Sequence, residues 1–182
     1  MKTISDHVLD IVQNSVRAKA TLIEIIVDED KINDFYALKI NDNGCGMSPE
    51  VLQNAANPFF TSRNTRKVGL GLSLLKQNAE AAGGSFQLWS EPGKGTNVHA
   101  VFQLSHYDRP PMGDIWDTWY LTLLSNPGIR LVYTHQTGKG AFKVDSEEVL
   151  ETLGGVRLQQ KQVKEGVIEW IKNNLEEIEA SK

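Results

Sequence analysis

Between residues 5 and 18, Val8, Leu9, Ile11, Val12 and Val16 recur at helical spacing with Ser15 in the same stripe, while Asp6, Asp10, Gln13, Asn14 and Arg17 share another face. This predicts an amphipathic first helix. Two strands follow: TLIEIIVDE is rich in β-branched residues, FYALKIND alternates less cleanly, and the polar residues 31–34 turn between them. In SPEVLQNAAN, Ser48 reads as an N-cap, Pro49 as the first helical position and Glu50 as a first-turn acid. From Asn57 to Lys67 the pattern lapses into a basic loop with Arg63, Arg66 and Lys67. Helical spacing then returns through Leu72, Leu75, Ala79 and Ala82, up to a Gly83-Gly84 stop. A hairpin is predicted next, with Phe86, Leu88 and Trp89 before Pro92-Gly93-Lys94-Gly95-Thr96, and Val98, Ala100, Phe102 and Leu104 alternating after it.

The last third has its own pattern. Residues 106–113, with Pro110-Pro111 and Gly113, read as a linker. DIWDTWYLTLLSNPG concentrates Trp116, Trp119 and Tyr120 in one helix-length stretch, a spacing that suits core packing or a partner surface. IRLVYTHQTGKGAFKVD reads as a hairpin through Gly138-Lys139-Gly140, after which Asp145 or Ser146 caps a helix carrying Val149, Leu150 and Leu153. A final helix from Gln159 to Ala180 places Val163, Val167, Ile171, Leu175 and Ile178 on one stripe, suited to docking or a short coiled-coil contact and so compatible with a homodimer.

Composition narrows the classes. A chain of 182 residues is long enough for one domain with a sizeable core, or for a compact domain with an appendage. With 40% apolar and 23% charged residues it reads as an ordinary soluble globular protein. The net charge of −4 argues against a nucleic-acid partner, because phosphate binding rests on Lys and Arg. Cys45 stands alone, which excludes an intramolecular disulfide and fits a reducing compartment. Polar residues interrupt the N-terminus where a signal peptide needs an apolar run, and no stretch approaches the roughly 20 apolar residues of a membrane span. A cytoplasmic protein is the expectation.

The candidate chemistry starts at NDNGCGM, residues 41–47, which locally could be a tight turn holding a thiol or the floor of a nucleotide pocket. Gly69 and Gly71 open a helix, the arrangement in which backbone N–H groups and the helix dipole converge on phosphate. Asp10 and Asn14 lie one turn apart on the first helix.

Four elements stand in one order: DxxxN on a helix, DxGxG after a strand, a phenylalanine-rich basic loop into GLGL, and GxGT between strands. That order resembles the GHKL ATP-binding superfamily of histidine-kinase catalytic domains, type II topoisomerases, heat-shock chaperones and MutL-type repair proteins, over residues 1–105. The resemblance implies an α+β fold, a two-layer α/β sandwich of the Bergerat type, with residues 114–182 as a small α+β appendage of unassigned role. It also implies ATP and Mg²⁺ as cofactors. Asn14 would hold the metal, and Asp42 would accept a hydrogen bond from the adenine amino group. Gly44, Gly46 and Met47 would form the floor under the base, with Cys45 as a small packed residue. Phe59, Phe60, Thr61 and Ser62 match the lid loop. Gly69, Leu70, Gly71 and Leu72 would line the triphosphate, with Lys67 or Arg66 offsetting its charge, and Thr96 would donate near the adenine.

The branch is less decided. The first helix is spelled like MutL and the topoisomerases, and the stretch from Asn57 to Phe102 like a sensor histidine kinase. In the hydrolysing branches a carboxylate one turn before the metal-binding Asn activates water. Asp10 occupies that position, one methylene shorter than the usual Glu, so it is the candidate base or a structural residue. The Gln136-Thr137-Gly138-Lys139 run is similar to the loop by which topoisomerases and MutL proteins bring a lysine to the terminal phosphate, or is part of a protein-interaction module. None of the four histidines sits in an acceptor-like sequence, so a kinase would act on a partner protein. Two functions therefore stand: an ATPase or kinase acting on a partner, or a non-catalytic module that ATP gates.

Overall fold

The computed structural model describes residues 1–56 and 70–181. Helix α1 (Ile4–Arg17) starts at Thr3, whose hydroxyl accepts from the Asp6 N–H while the Asp6 carboxylate accepts from the Thr3 N–H, each at 3.1 Å. This reciprocal cap satisfies two N–H groups that a helix start leaves free. Strands β1 (Leu22–Asp30) and β2 (Phe35–Asp42) form a hairpin, and the short helix α2 (Pro49–Ala55) follows, capped by Ser48 as its sequence implies. Then come α3 (Leu70–Ala81), β3 (Ser85–Glu91) and β4 (Gly95–Gln103), and after the connection α4 (Ile115–Ser125), β5 (Arg130–Thr137), β6 (Gly140–Asp145), α5 (Ser146–Leu153) and α6 (Lys161–Glu177).

The six strands make one sheet in the order β3-β4-β2-β1-β5-β6, antiparallel throughout except where β5 lies parallel to β1. Every second residue of β1 is buried, Ile23, Ile25, Val27 and Glu29, so one face of the sheet carries the core. Against it lie the helices, α1 touching both α3 and α4, and α4 touching α6. The result is the expected α+β sandwich.

The stretch 106–113 is packed: the Ile4 and Ser5 N–H groups donate to the carbonyls of Pro111 and Met112 at 2.9 Å, and the Tyr36 hydroxyl donates to Met112 Sδ. Residues beyond it share the same core, through Trp119, Tyr120, Tyr133 and Ile171. Of the aromatic helix, Trp119 and Tyr120 are buried in the core, and the half-buried Trp116 packs against it with Lys172 Nζ 4.7 Å over its ring.

The β5–β6 turn corrects one expectation. Gln136 pairs with Asp28, whereas Asp42 pairs with Ile23. At roughly 3.3 Å per residue, the turn lies about 16 Å along the strands from Asp42. There Lys139 Nζ is 3.5 Å from Glu179, and the Thr137 hydroxyl donates to the Ile178 carbonyl at 2.5 Å. Lys139 thus pairs with Glu179 at the surface, away from Asp42.

Candidate functional site

Asp42 ends β2 beside Thr96 of β4, its register partner. Its Oδ1 accepts from the Gly44 N–H at 2.9 Å and its Oδ2 from the Ser15 hydroxyl at 2.7 Å. An ionised carboxylate has about four acceptor positions, so two protein donors orient the group and leave capacity for another. Ser15 is itself buried on α1. The sequence placed it in the apolar stripe and gave no sign of this role, because its partner lies 27 residues away.

The turn after Asp42 is clamped on both sides. Asn43 Oδ1 accepts from the Thr21 and Leu22 N–H groups at 2.8 and 2.9 Å, tying the turn to the start of β1. The Cys45 N–H donates to the Ala18 carbonyl, and the Cys45 carbonyl accepts from Gly93. With both backbone groups turned inward, the Cys45 side chain is left outside. The thiol is exposed, contrary to the packed position expected of it. Ser90 completes the clamp: it accepts from the Met47 N–H, donates to the Gly95 carbonyl and lies 2.9 Å from the Thr96 hydroxyl.

Glycine is required at two of these positions. Gly46 has φ +67° and a Cβ there would run into the Glu91 carbonyl, while Gly95 has φ +97° and a Cβ would strike the Asp42 carbonyl. A side chain at either would push β2, β4 and the turn apart. Gly44 is also tight, its Cβ position 2.8 Å from Ala18 Cβ.

On α1, Asp10 and Asn14 fall one turn apart as expected. Asp10 Oδ2 is buried without a hydrogen-bond partner among the described residues. It lies against Gly71 in the first turn of α3, where a Cβ would collide with the carboxylate, so the missing side chain lets α3 approach α1 here. Leu72 is buried behind it. The Asn14 side-chain oxygen accepts from Arg17 Nη1 at 3.0 Å. His7, also on α1, is fully buried, and its Nε2 accepts from the Asn78 amide N–H at 2.9 Å. Burial holds its imidazole below the ordinary value. Leu70 opens α3. Phe59, Phe60, Thr61, Ser62, Arg66, Lys67 and Gly69 lie outside the described residues.

The donor set suits the implied groups. Asn14 offers a neutral oxygen of the kind a hard divalent ion takes, once Arg17 turns away, and Asp10 Oδ2 is an unclaimed acceptor one turn back. Asp42 offers acceptor capacity beside a glycine floor.

Residues 2–106 match the family described as histidine kinase-, DNA gyrase B- and HSP90-like ATPases. The chain belongs to this family. A provisionally named sensor protein of Shewanella frigidimarina is 38% identical over 102 residues, 55% of this chain and 16% of that protein. The cell-division control histidine kinase PdhS of Brucella ovis is 31% identical over 115 residues, 56% of this chain and 11% of its own length. The chain thus spans under a fifth of the length of either relative. The fold is also that of the Aquifex aeolicus MutL ATPase domain solved with ADP, with TM-score 0.50 and 15% identity over 85% of this chain and 70% of that one. The N-terminal domain of a DNA repair protein is similar, with TM-score 0.51 and 19% identity over 80% of this chain and 52% of that one. The MutL likeness covers more of the chain than the ATPase family match, so it takes in part of the region after residue 106.

Among the described residues no helix is long and apolar enough to cross a membrane, and no three His, Cys, Asp or Glu side chains gather to hold a metal.

Proposed function

We propose that this protein binds Mg²⁺-ATP at the site formed by α1, the 42–47 turn and the start of α3, and uses it as an ATPase or kinase that acts on a partner protein in the cytoplasm. The observation that carries the reading is Asp42: a carboxylate fixed by Ser15 and Gly44, with acceptor capacity to spare, beside a turn in which Gly46 and Gly95 admit no side chain. An adenine amino group is a donor of the right kind for it. Asn14 would hold the metal, which offsets phosphate charge when bound; with no protein cluster to cage it, most of its ligands would be phosphate oxygens and water. Gly71 and Leu72 would sit beneath the phosphates.

Asp10 is the candidate base. Its Oδ2 has no partner among the described residues, and a general base needs an acceptor free to take a proton from water or from a substrate hydroxyl within about 3 Å. A purely nucleotide-gated module is the second reading, and it requires that ATP bind two conformations unequally.

Calorimetric titration of a non-hydrolysable ATP analogue with and without Mg²⁺, run beside product analysis on ATP, separates these. Metal-dependent binding with ADP release supports the enzyme. Asp10→Asn should then keep the affinity and lower turnover by about 10²-fold or more. Binding with no turnover in the presence of candidate partners moves the reading to the gated module, and absence of binding removes both.

A further inference from the structure

Helices α5 and α6 do not close on one another. A groove of about 550 Å³ runs between them, its apolar walls formed by Val149, Leu153, Val163, Val167 and Trp170. None of α5's large side chains is fully buried. Trp170 packs edge-on against Phe142 at 5.3 Å and leaves 44% of its surface open, the posture of an anchor awaiting a contact.

Gly166 lies in the same wall, in the interior of the 17-residue α6. Glycine weakens a helix interior relative to alanine, so a neighbour that needs the space would explain it. In this chain no such neighbour exists among the described residues, for a Cβ at Gly166 would meet nothing within 4 Å. The space is available to a side chain from outside.

Charge indicates its source. Residues 146–182 carry eight Glu against five Lys and Arg, a net −3 of the −4 of the whole chain. Glu147, Glu148 and Glu151 stand exposed on α5, and Glu165 and Glu169, one turn apart, on α6. Arg130 and Lys143 reach Glu147 and Glu148 at 3.2 and 3.8 Å and Lys161 reaches Glu165 at 3.6 Å, so Glu151 on α5 and Glu169 on α6 are the carboxylates beside the groove that have no ion pair among the described residues. Two copies of such a surface repel each other, whereas a basic partner is attracted.

We propose that the α5–α6 groove receives one amphipathic helix of a partner protein, with its apolar side chains seated over Gly166 and against Trp170 and its flanks carrying Lys or Arg. This is the helix-in-groove mode of recognition. The inference does not rest on the nucleotide reading. The groove borders β6, three strands from Asp42.

The test uses the full chain and synthetic peptides of about 16 residues, long enough at 1.5 Å per residue to lie along α6. One has leucines at helical spacing flanked by lysines, a twin has glutamates in their place, and a third is a scramble of the first. The lysine peptide should bind, with the glutamate twin about tenfold weaker, the effect of a few rim ion pairs, and the scramble inactive. Gly166→Leu should abolish binding while leaving the melting temperature equal or higher, which separates a filled groove from a misfolded chain. Failure of the lysine peptide, equal binding of the scramble, or unchanged binding by Gly166→Leu overturns the proposal. So does self-association in sedimentation that Gly166→Leu abolishes, because the occupant is then a second copy.

Discussion

Two carboxylates on neighbouring strands show how differently this chain uses the same group. Glu29, on β1, is 2% exposed and has three protein donors: His135 Nε2 donates to it at 2.5 Å, and Ser181 donates both its N–H and its hydroxyl. With Nε2 committed, His135 Nδ1 is left to accept from the Tyr133 hydroxyl at 2.6 Å. Asp42, on β2, has two protein donors and stands half-buried at the mouth of a glycine-floored turn. A buried polar group that is fully paired fixes structure, and one that is oriented but incompletely paired is ready to recognise something. The comparison separates what holds the C-terminal end of the chain to the sheet from what would hold a ligand.

The strongest way to break it is to remove Glu29. Glu29→Ala strands His135, Tyr133 and the Ser181 N–H in the core, and loss of one partner from such a network costs about 3–5 kcal/mol. At about 2–4 °C per kcal/mol for a chain of this size, the melting temperature should fall by about 10 °C. Nucleotide affinity measured well below that midpoint should be unchanged. A calorimetric scan showing a shift of only a degree or two would mean that the network carries no stability.

Asp42→Asn should do the reverse. The asparagine oxygen still accepts from Ser15 or Gly44, so the melting temperature should move by little, whereas a charge-assisted bond to the adenine amino group, about 1.5–3 kcal/mol, is lost. That is roughly a 10–100-fold rise in the Kd of an ATP analogue. Unchanged affinity would take Asp42 out of the site. Ser15→Ala is the smaller version: it frees one carboxylate oxygen to rotate and should weaken binding by about fivefold, with a net bond worth about 1 kcal/mol. If Ser15→Ala lowered stability and not affinity, its hydroxyl would belong with Glu29's class of contacts.

Ser15 also marks the limit of what the sequence discloses. The local signals were legible: the α1 stripe, the Ser48-Pro49 start of α2, the Gly83-Gly84 stop and both hairpins all stand as read. So was the DNGCG turn beside Thr96, because its glycines answer to backbone that lies close by. What stayed hidden were pairings over long separations. A small serine among apolar neighbours looks like packing until Asp42 is beside it. The pattern of β5 predicts a strand and is silent on its place, parallel to β1, which puts His135 near Glu29 and carries Lys139 away from the pocket. Cys45 was misread for a related reason, since the direction of its side chain follows from where its backbone groups are bonded.

Acid titration separates the two regions without altering Asp42, and its effects are the smallest. His7 is buried on α1 one turn before Asp10, and desolvation holds its folded pKa below the unfolded value of about 6.5. Below that pH the unfolded chain binds a proton that the folded chain resists, so stability is full above about 6.5 and declines as pH falls beneath it. Burial lowers His99 in the same direction, with Lys39 adding to it, so His7→Gln should flatten this decline only in part. Burial raises Glu29, but the bonds from His135 and Ser181 together outweigh it and hold the carboxyl below its usual range. The contribution of Glu29 is therefore complete above about pH 4.5 and is lost only as pH falls through its lower folded value. Melting temperature against pH should show two separate declines, the first reduced by His7→Gln and the second by Glu29→Gln. A single decline that neither substitution changes would mean that neither residue governs the acid sensitivity of its region.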